Sequence, residues 1–204
     1  MRSTWLVRAG LLAAFAASTA VSAVSAQKST TRGFMVAAHI QGASLTVQDD
    51  DPTNGGGFGA RVGYGFDRHV MGYFEIDGVV FDVANPDFGG YWSMAHADLG
   101  ARYNFANSLR RWVPFAEAAF GVRGVSVDDA TVNGESVGRL NFSGGAFSLG
   151  GGISFFVKEK LAVETLTKWS SGRFQQVELQ NVTLNNLDID ATSFRFKLGV
   201  AWWP

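Results

Sequence analysis

Between residues 58 and 66 the chain reads Phe58-Gly59-Ala60-Arg61-Val62-Gly63-Tyr64-Gly65-Phe66, apolar at every even position and Gly or Arg at every odd one. Between 95 and 105 it reads Ala95-His96-Ala97-Asp98-Leu99-Gly100-Ala101-Arg102-Tyr103-Asn104-Phe105, with the phase reversed. A period of two sends alternate side chains to opposite faces of a strand, so each segment offers one apolar and one polar face. Helical periodicity is poor, and the 25 glycines interrupt every candidate helix. Beyond residue 26 no stretch reaches 18 uncharged apolar residues, so no helix there is built to cross a membrane. The chain is therefore constrained to an all-β fold.

Eight segments carry the pattern: 33–42, 55–66, 70–83, 91–105, 112–126, 140–157, 161–174 and 191–203. The breaks between them alternate in kind. Asp67-Arg68-His69, Ala106 to Arg111 and Lys158-Glu159-Lys160 are short turns, whereas 43–54, 84–90, 127–139 and 175–190 are longer polar loops. Short turns at one end and long loops at the other describe an up-and-down barrel with both termini on the short-turn side. Segments of about 10–18 residues exceed the usual soluble strand of about 5–6 and cover the roughly 9–11 that a tilted strand needs to cross a bilayer.

The contents of the two faces separate a membrane barrel from a soluble one. The polar face collects Arg61, Glu75, Asp77, Asp98, Arg102, Glu117, Arg123, Glu164, Lys168, Arg195 and Lys197, five acids against six bases. An aqueous surface tolerates any mixture, but a narrow lumen requires near-neutrality because unpaired buried charge is expensive. The opposite face carries Phe74, Ile76, Ala97, Leu99, Ala116, Ala118, Phe120, Leu149, Ile153, Val163, Phe196, Leu198 and Val200 without a charge, as a lipid-facing wall must. Aromatic residues gather in two bands. Phe66, Tyr103, Phe105, Trp112, Phe155, Phe156, Trp202 and Trp203 fall near the short-turn ends, and Phe58, Tyr91, Trp92, Phe142, Trp169 and Phe194 near the loop ends. Such bands match the girdles at the two headgroup levels.

Residues 1–26 read as a secretory signal peptide: Arg2 and Arg8, an apolar Ala-rich run from Leu6 to Val24, and the small residues Val24-Ser25-Ala26 before Gln27. The expected division is thus a signal peptide over 1–26 and one barrel domain over 27–204. A formal charge of −1 argues against nucleic acid as a partner, and the absence of cysteine excludes disulfide staples and thiolate metal sites.

Three stretches resemble the outer-membrane β-barrel domain family, the small OmpA/OmpX-like barrels. They are Gly57 to Gly78 (GFGARVGYGFDRHVMGYFEIDG), Asp98 to Gly121 (DLGARYNFANSLRRWVPFAEAAFG) and Gly150 to Glu164 (GGGISFFVKEKLAVE). The resemblance implies an eight-stranded antiparallel transmembrane barrel, a monomer, placed in outer-membrane lipid by the barrel-assembly machinery. Family members usually end in an aromatic residue; here Trp202-Trp203 is followed by Pro204.

Candidate chemistry is sparse. His39 and His96 fall on the polar face of the first and fourth strands and His69 in a turn, so no set of ligands converges from sequence alone. Serines are plentiful, but no motif pairs one with a histidine and a carboxylate. Asp49-Asp50-Asp51 and Asp128-Asp129 lack the alternating oxygen ligands of a calcium loop, and Gly55-Gly56-Gly57 lacks the Lys-Ser/Thr and helix of a phosphate loop. The expectation is no catalytic, cofactor-binding or metal-binding residue and no cofactor. The expected role is structural, or contact with an extracellular partner through the loops. A lipid-modifying barrel enzyme, a narrow channel and a soluble lipocalin-like carrier are the alternatives. Gly100, on the polar face, is expected to accept serine.

Overall fold

The structure is a computed structural model that describes residues 30–48, 51–81, 88–105, 111–132, 135–179 and 182–204. Eight strands follow one another: β1 (Gly33–Val47), β2 (Thr53–Gly65), β3 (Val70–Phe81), β4 (Phe88–Asn104), β5 (Trp112–Val132), β6 (Glu135–Lys158), β7 (Leu161–Leu179) and β8 (Val182–Trp202). Each pairs antiparallel with the next, and β8 returns to β1 from Val36↔Trp202 to Val47↔Ala191, closing the barrel. Closure leaves no free sheet edge around the wall, which is what allows strands to stand in hydrocarbon.

The strands run further than expected at the loop end. The segments 127–139 and 175–190, expected as loops, are mostly the upper parts of β5, β6, β7 and β8, and 43–54 is mostly β1 and β2. β1 keeps its alternation through Ala43, Leu45 and Val47 in unbroken register with β2, whereas in the β5–β6 and β7–β8 hairpins period two fails for a physical reason. The ladders slip between Val127 and Ala130, between Ser143 and Ala146, and between Phe174 and Gln176. A bulge shifts the phase of every side chain beyond it, so a window spanning it shows no alternation. The signal peptide over 1–26, Asp49 and Asp50, most of the 84–90 loop and most of the Ala106 to Arg111 turn lie outside the described residues.

Side-chain polarity is inverted relative to a soluble barrel. Leu99 and Phe120 are 69% and 70% exposed on the outer wall, and Phe74, Ile76, Leu149, Ile153, Phe196, Leu198 and Val200 are exposed beside them. All eleven charged residues of the polar face are buried inside. Four of the banded aromatics also point inward. Phe156 and Trp203 join Met35, Met71, Val113, Ala162 and Ala201 in an apolar plug at the short-turn end. Trp92 and Phe142 pack on Leu45, Val79, Phe81, Met94, Val125 and Phe174 in a second plug at the loop end. Phe156, Trp92 and Trp203 sit next to outward-facing or terminal positions, and a banding argument that ignores phase takes all of them for girdle residues. The side chain of Tyr91 is not among those described.

Candidate functional site: the ionic lumen

Between the two plugs the lumen is a network of ion pairs, each side chain supplied by strand alternation. Arg61 on β2 donates from Nε and Nη2 to Glu75 on β3, at 2.9 and 2.5 Å, and from Nη1 and Nη2 to Glu117 on β5, at 3.0 and 2.9 Å. Lys168 reaches across from β7 to Glu75 at 2.5 Å, Glu117 at 3.2 Å and Asp98 at 3.4 Å. Arg102 on β4 makes a two-pronged contact with Glu164 on β7, at 2.7 and 3.2 Å, and Ser154 donates to the same carboxylate. Arg195 grips Asp77 with Nη1 at 3.0 Å to both oxygens. Lys197 joins Glu75 to Asp77, at 2.8 and 2.6 Å. Arg61 also lies 4.2 Å from the Tyr73 ring centre and Arg102 3.7 Å from that of Phe115, so aromatic faces share the positive charge. Pairs such as Lys168–Glu75 tie opposite walls together rather than neighbours in one ladder.

The small inward residues are spacers. A Cβ on Gly59 would stand 2.5 Å from both the Asp77 Cβ and the His39 Nε2. Gly100 overturns the expectation that it accepts serine: its Cβ would meet the Tyr73 ring at 2.5 Å and the Ala118 carbonyl at 2.7 Å. Polar-face position alone does not reveal which glycines make room for a ring.

The structure brings one histidine to carboxylates that are distant in sequence. His39, Glu75 and Asp77 offer ligand atoms within 4.8 Å of one another, a spacing compatible with a metal ion. The cation at that point is already the Lys197 ammonium, in contact with both carboxylates. No motif signals this grouping, because β1 and β3 are separated by β2 and form no ladder with each other. His96 Nδ1 lies 4.0 Å from Asp77 Oδ1. His69 is in the β2–β3 turn, its Nδ1 2.9 Å from the Asn104 carbonyl. In the same turn Asp67 accepts the backbone N–H groups of His69 and Val70, at 2.6 and 2.8 Å, and these hold its carboxyl below the usual range. Asp128, in β5 near the loop end, is paired with Arg139.

An outward apolar wall, an ion-paired lumen and complete closure define a transmembrane up-and-down β-barrel. The chain belongs to the outer membrane protein beta-barrel domain family, whose profile matches residues 13–201, and its place is the outer membrane. Solved structures with the same fold include Neisserial surface protein A (16% identity, 83% of this chain and 96% of that one, TM-score 0.62). Ail, the attachment invasion locus protein of Yersinia pestis, is similar at 10% identity over 84% of this chain and 100% of that one, with a TM-score of 0.54. OprG from Pseudomonas aeruginosa is similar at 10% identity over 88% and 98%, with a TM-score of 0.52. No curated protein matches the sequence.

Proposed function

We propose that this barrel is a closed, non-catalytic scaffold of the outer membrane whose work is done at its loop end. The carrying observation is the filled lumen: an ionic middle sealed by apolar plugs at both ends. A cavity beside His39, Glu75 and Lys197 measures about 20 Å³, room for a water molecule and not for a solute path. An apolar ligand pocket of the kind a soluble carrier needs is replaced there by charges. On this reading residues 1–26 direct export and are removed, and the barrel-assembly machinery inserts residues 27–204 as a monomer. The short turns face the periplasm and the long β5–β6 and β7–β8 hairpins face outward. Those hairpins carry the exposed pairs Arg173–Asp188, Arg173–Asp190 and Arg139–Asp128, a polar surface suited to contact with an external partner. The name of the Yersinia neighbour describes attachment for that protein, and the likeness at 10% identity extends to the fold alone.

Planar-bilayer recording of the purified chain tests the closed scaffold. The expected result is no large, stable conductance, together with a mobility shift between unheated and boiled detergent gels. Porin-scale conductance from the unmodified protein overturns the reading.

A further inference from the structure

The lumen charges do not close. Six cations face five carboxylates, and five of the cations (Arg61, Arg102, Lys168, Arg195 and Lys197) have a carboxylate within 4.0 Å. Arg123 has none among the described residues, although it is only 1% exposed. Its one hydrogen bond runs from Nη2 to the Ala191 carbonyl at 2.9 Å, and its Nε and Nη1 have no partner. The Phe174 ring lies 4.9 Å from its Cζ, and the Asp98 carboxylate attracts it from beyond ion-pair distance. A guanidinium cannot shed its proton at any accessible pH, so burial cannot neutralise it as it would a lysine.

Other unused polar groups sit at the same level of the lumen. His96 is the direct cross-strand partner of Arg123, and both its ring nitrogens lack a hydrogen bond. Arg123 reaches Ala191, and the next inward residues of β8 are Ser193, with an unpartnered hydroxyl, and Arg195, with an unpartnered Nε. All are nine-tenths or more buried. The set is rich in donors and carries surplus positive charge. The one unused carboxylate oxygen nearby is Asp98 Oδ1, whose other oxygen is shared by Lys168 and Arg195. We propose that a small monovalent anion of halide size binds in the lumen against Arg123, below the loop-end plug, held by N–H groups of Arg123 and Arg195 and by the Ser193 hydroxyl. The ion supplies the counter-charge that the chain omits, and it becomes part of the folded barrel.

The test is the thermal transition of the full barrel domain in detergent, in sodium chloride or bromide against sodium gluconate at equal ionic strength. The wild type is expected to gain several degrees, saturably, in either halide. Arg123→Met is expected to respond equally to all three salts, and in gluconate to melt above the wild type because the lone charge is gone. A wild-type transition indifferent to the anion overturns the proposal, as does a halide response that survives in Arg123→Met. An indifferent wild type weakened by Asp98→Asn assigns the counter-charge to Asp98 through water instead. Should Arg123→Met fail to fold, bromide anomalous scattering from wild-type crystals decides: a peak beside the Arg123 guanidinium supports the site, and none there refutes it.

Discussion

Lys168→Met removes the ammonium that three carboxylates share while keeping the length of the side chain. Lys168 and its partners are each about 1% exposed or less, so no solvent replaces the lost charge. The damage is uneven. Glu75 keeps Arg61 and Lys197, and Glu117 keeps Arg61 and Arg102. Among the described residues Asp98 keeps only the ion pair with Arg195 at 3.4 Å, and Arg195 is already committed to Asp77 at 3.0 Å. Removing one member of a buried pair costs about 3–5 kcal/mol, and the residual partners of Glu75 and Glu117 place this substitution at about 3. If Asp98 carries most of the loss, adding Asp98→Asn returns part of it, with a coupling of about 1–3 kcal/mol in the double-mutant cycle. Urea titration of the barrel folding into vesicles, followed by tryptophan fluorescence and by the unheated-gel shift, measures both. A Lys168→Met barrel within about 0.5 kcal/mol of wild type, the ordinary range for surface substitutions, would refute the pairing as a source of stability.

Three further outcomes follow from the same geometry. Ala118→Arg, on the outer wall between Ala101 and Leu149, is expected to cost about 2–4 kcal/mol in vesicle folding, the midplane figure for a lipid-facing arginine. Glu159→Arg in the exposed β6–β7 turn should be near neutral, and equal effects at the two sites would mean the faces are reversed. Gly100→Ser is expected to lose about 1–3 kcal/mol by overpacking against Tyr73 and the Ala118 carbonyl, and Tyr73→Leu should relieve the part due to the ring; no loss in urea titration would show that the ring and the backbone give way freely. Asp67 has a lowered carboxyl pKa, so its bonds to the His69 and Val70 amides are intact above the ordinary carboxylate range and are lost as pH falls through the lowered value. Amide protection at those two positions, taken relative to the intrinsic exchange rate at each pH, should fall on acidification in the wild type and be low and insensitive to this titration in Asp67→Ala.

Alternation made the barrel, the order of its strands and the membership of both faces readable from residues alone, because a strand's phase is a local property. Arg61, Glu75 and Lys168 are each assigned inward by their immediate neighbours in sequence. What alternation cannot supply is height and partner. Phase places Gly100 inside without saying that the Tyr73 ring fills the space beside it, and places His39 inside without saying that Glu75 and Asp77 come within reach from β3. Those relations depend on the stagger between ladders, which accumulates around the closed sheet and leaves no trace in any one segment. The upper hairpins failed for a different reason: three bulges reverse the phase midway, so the strands persist where the pattern stops.

Ion pairing in this lumen is a consequence of what surrounds it. With lipid outside, hydrophobic burial cannot drive side chains inward as it does in water, and the outer wall gains nothing by hiding Leu99 or Phe120. The interior must therefore hold itself together by interactions that a hydrocarbon environment strengthens, and multivalent carboxylates do so directionally. Glu75 receives three cations from β2, β7 and β8 at once, a geometry that only one stagger of the strands satisfies. The network thus selects register as much as it stabilises, and the two plugs confine it to the span where water cannot compete for its bonds.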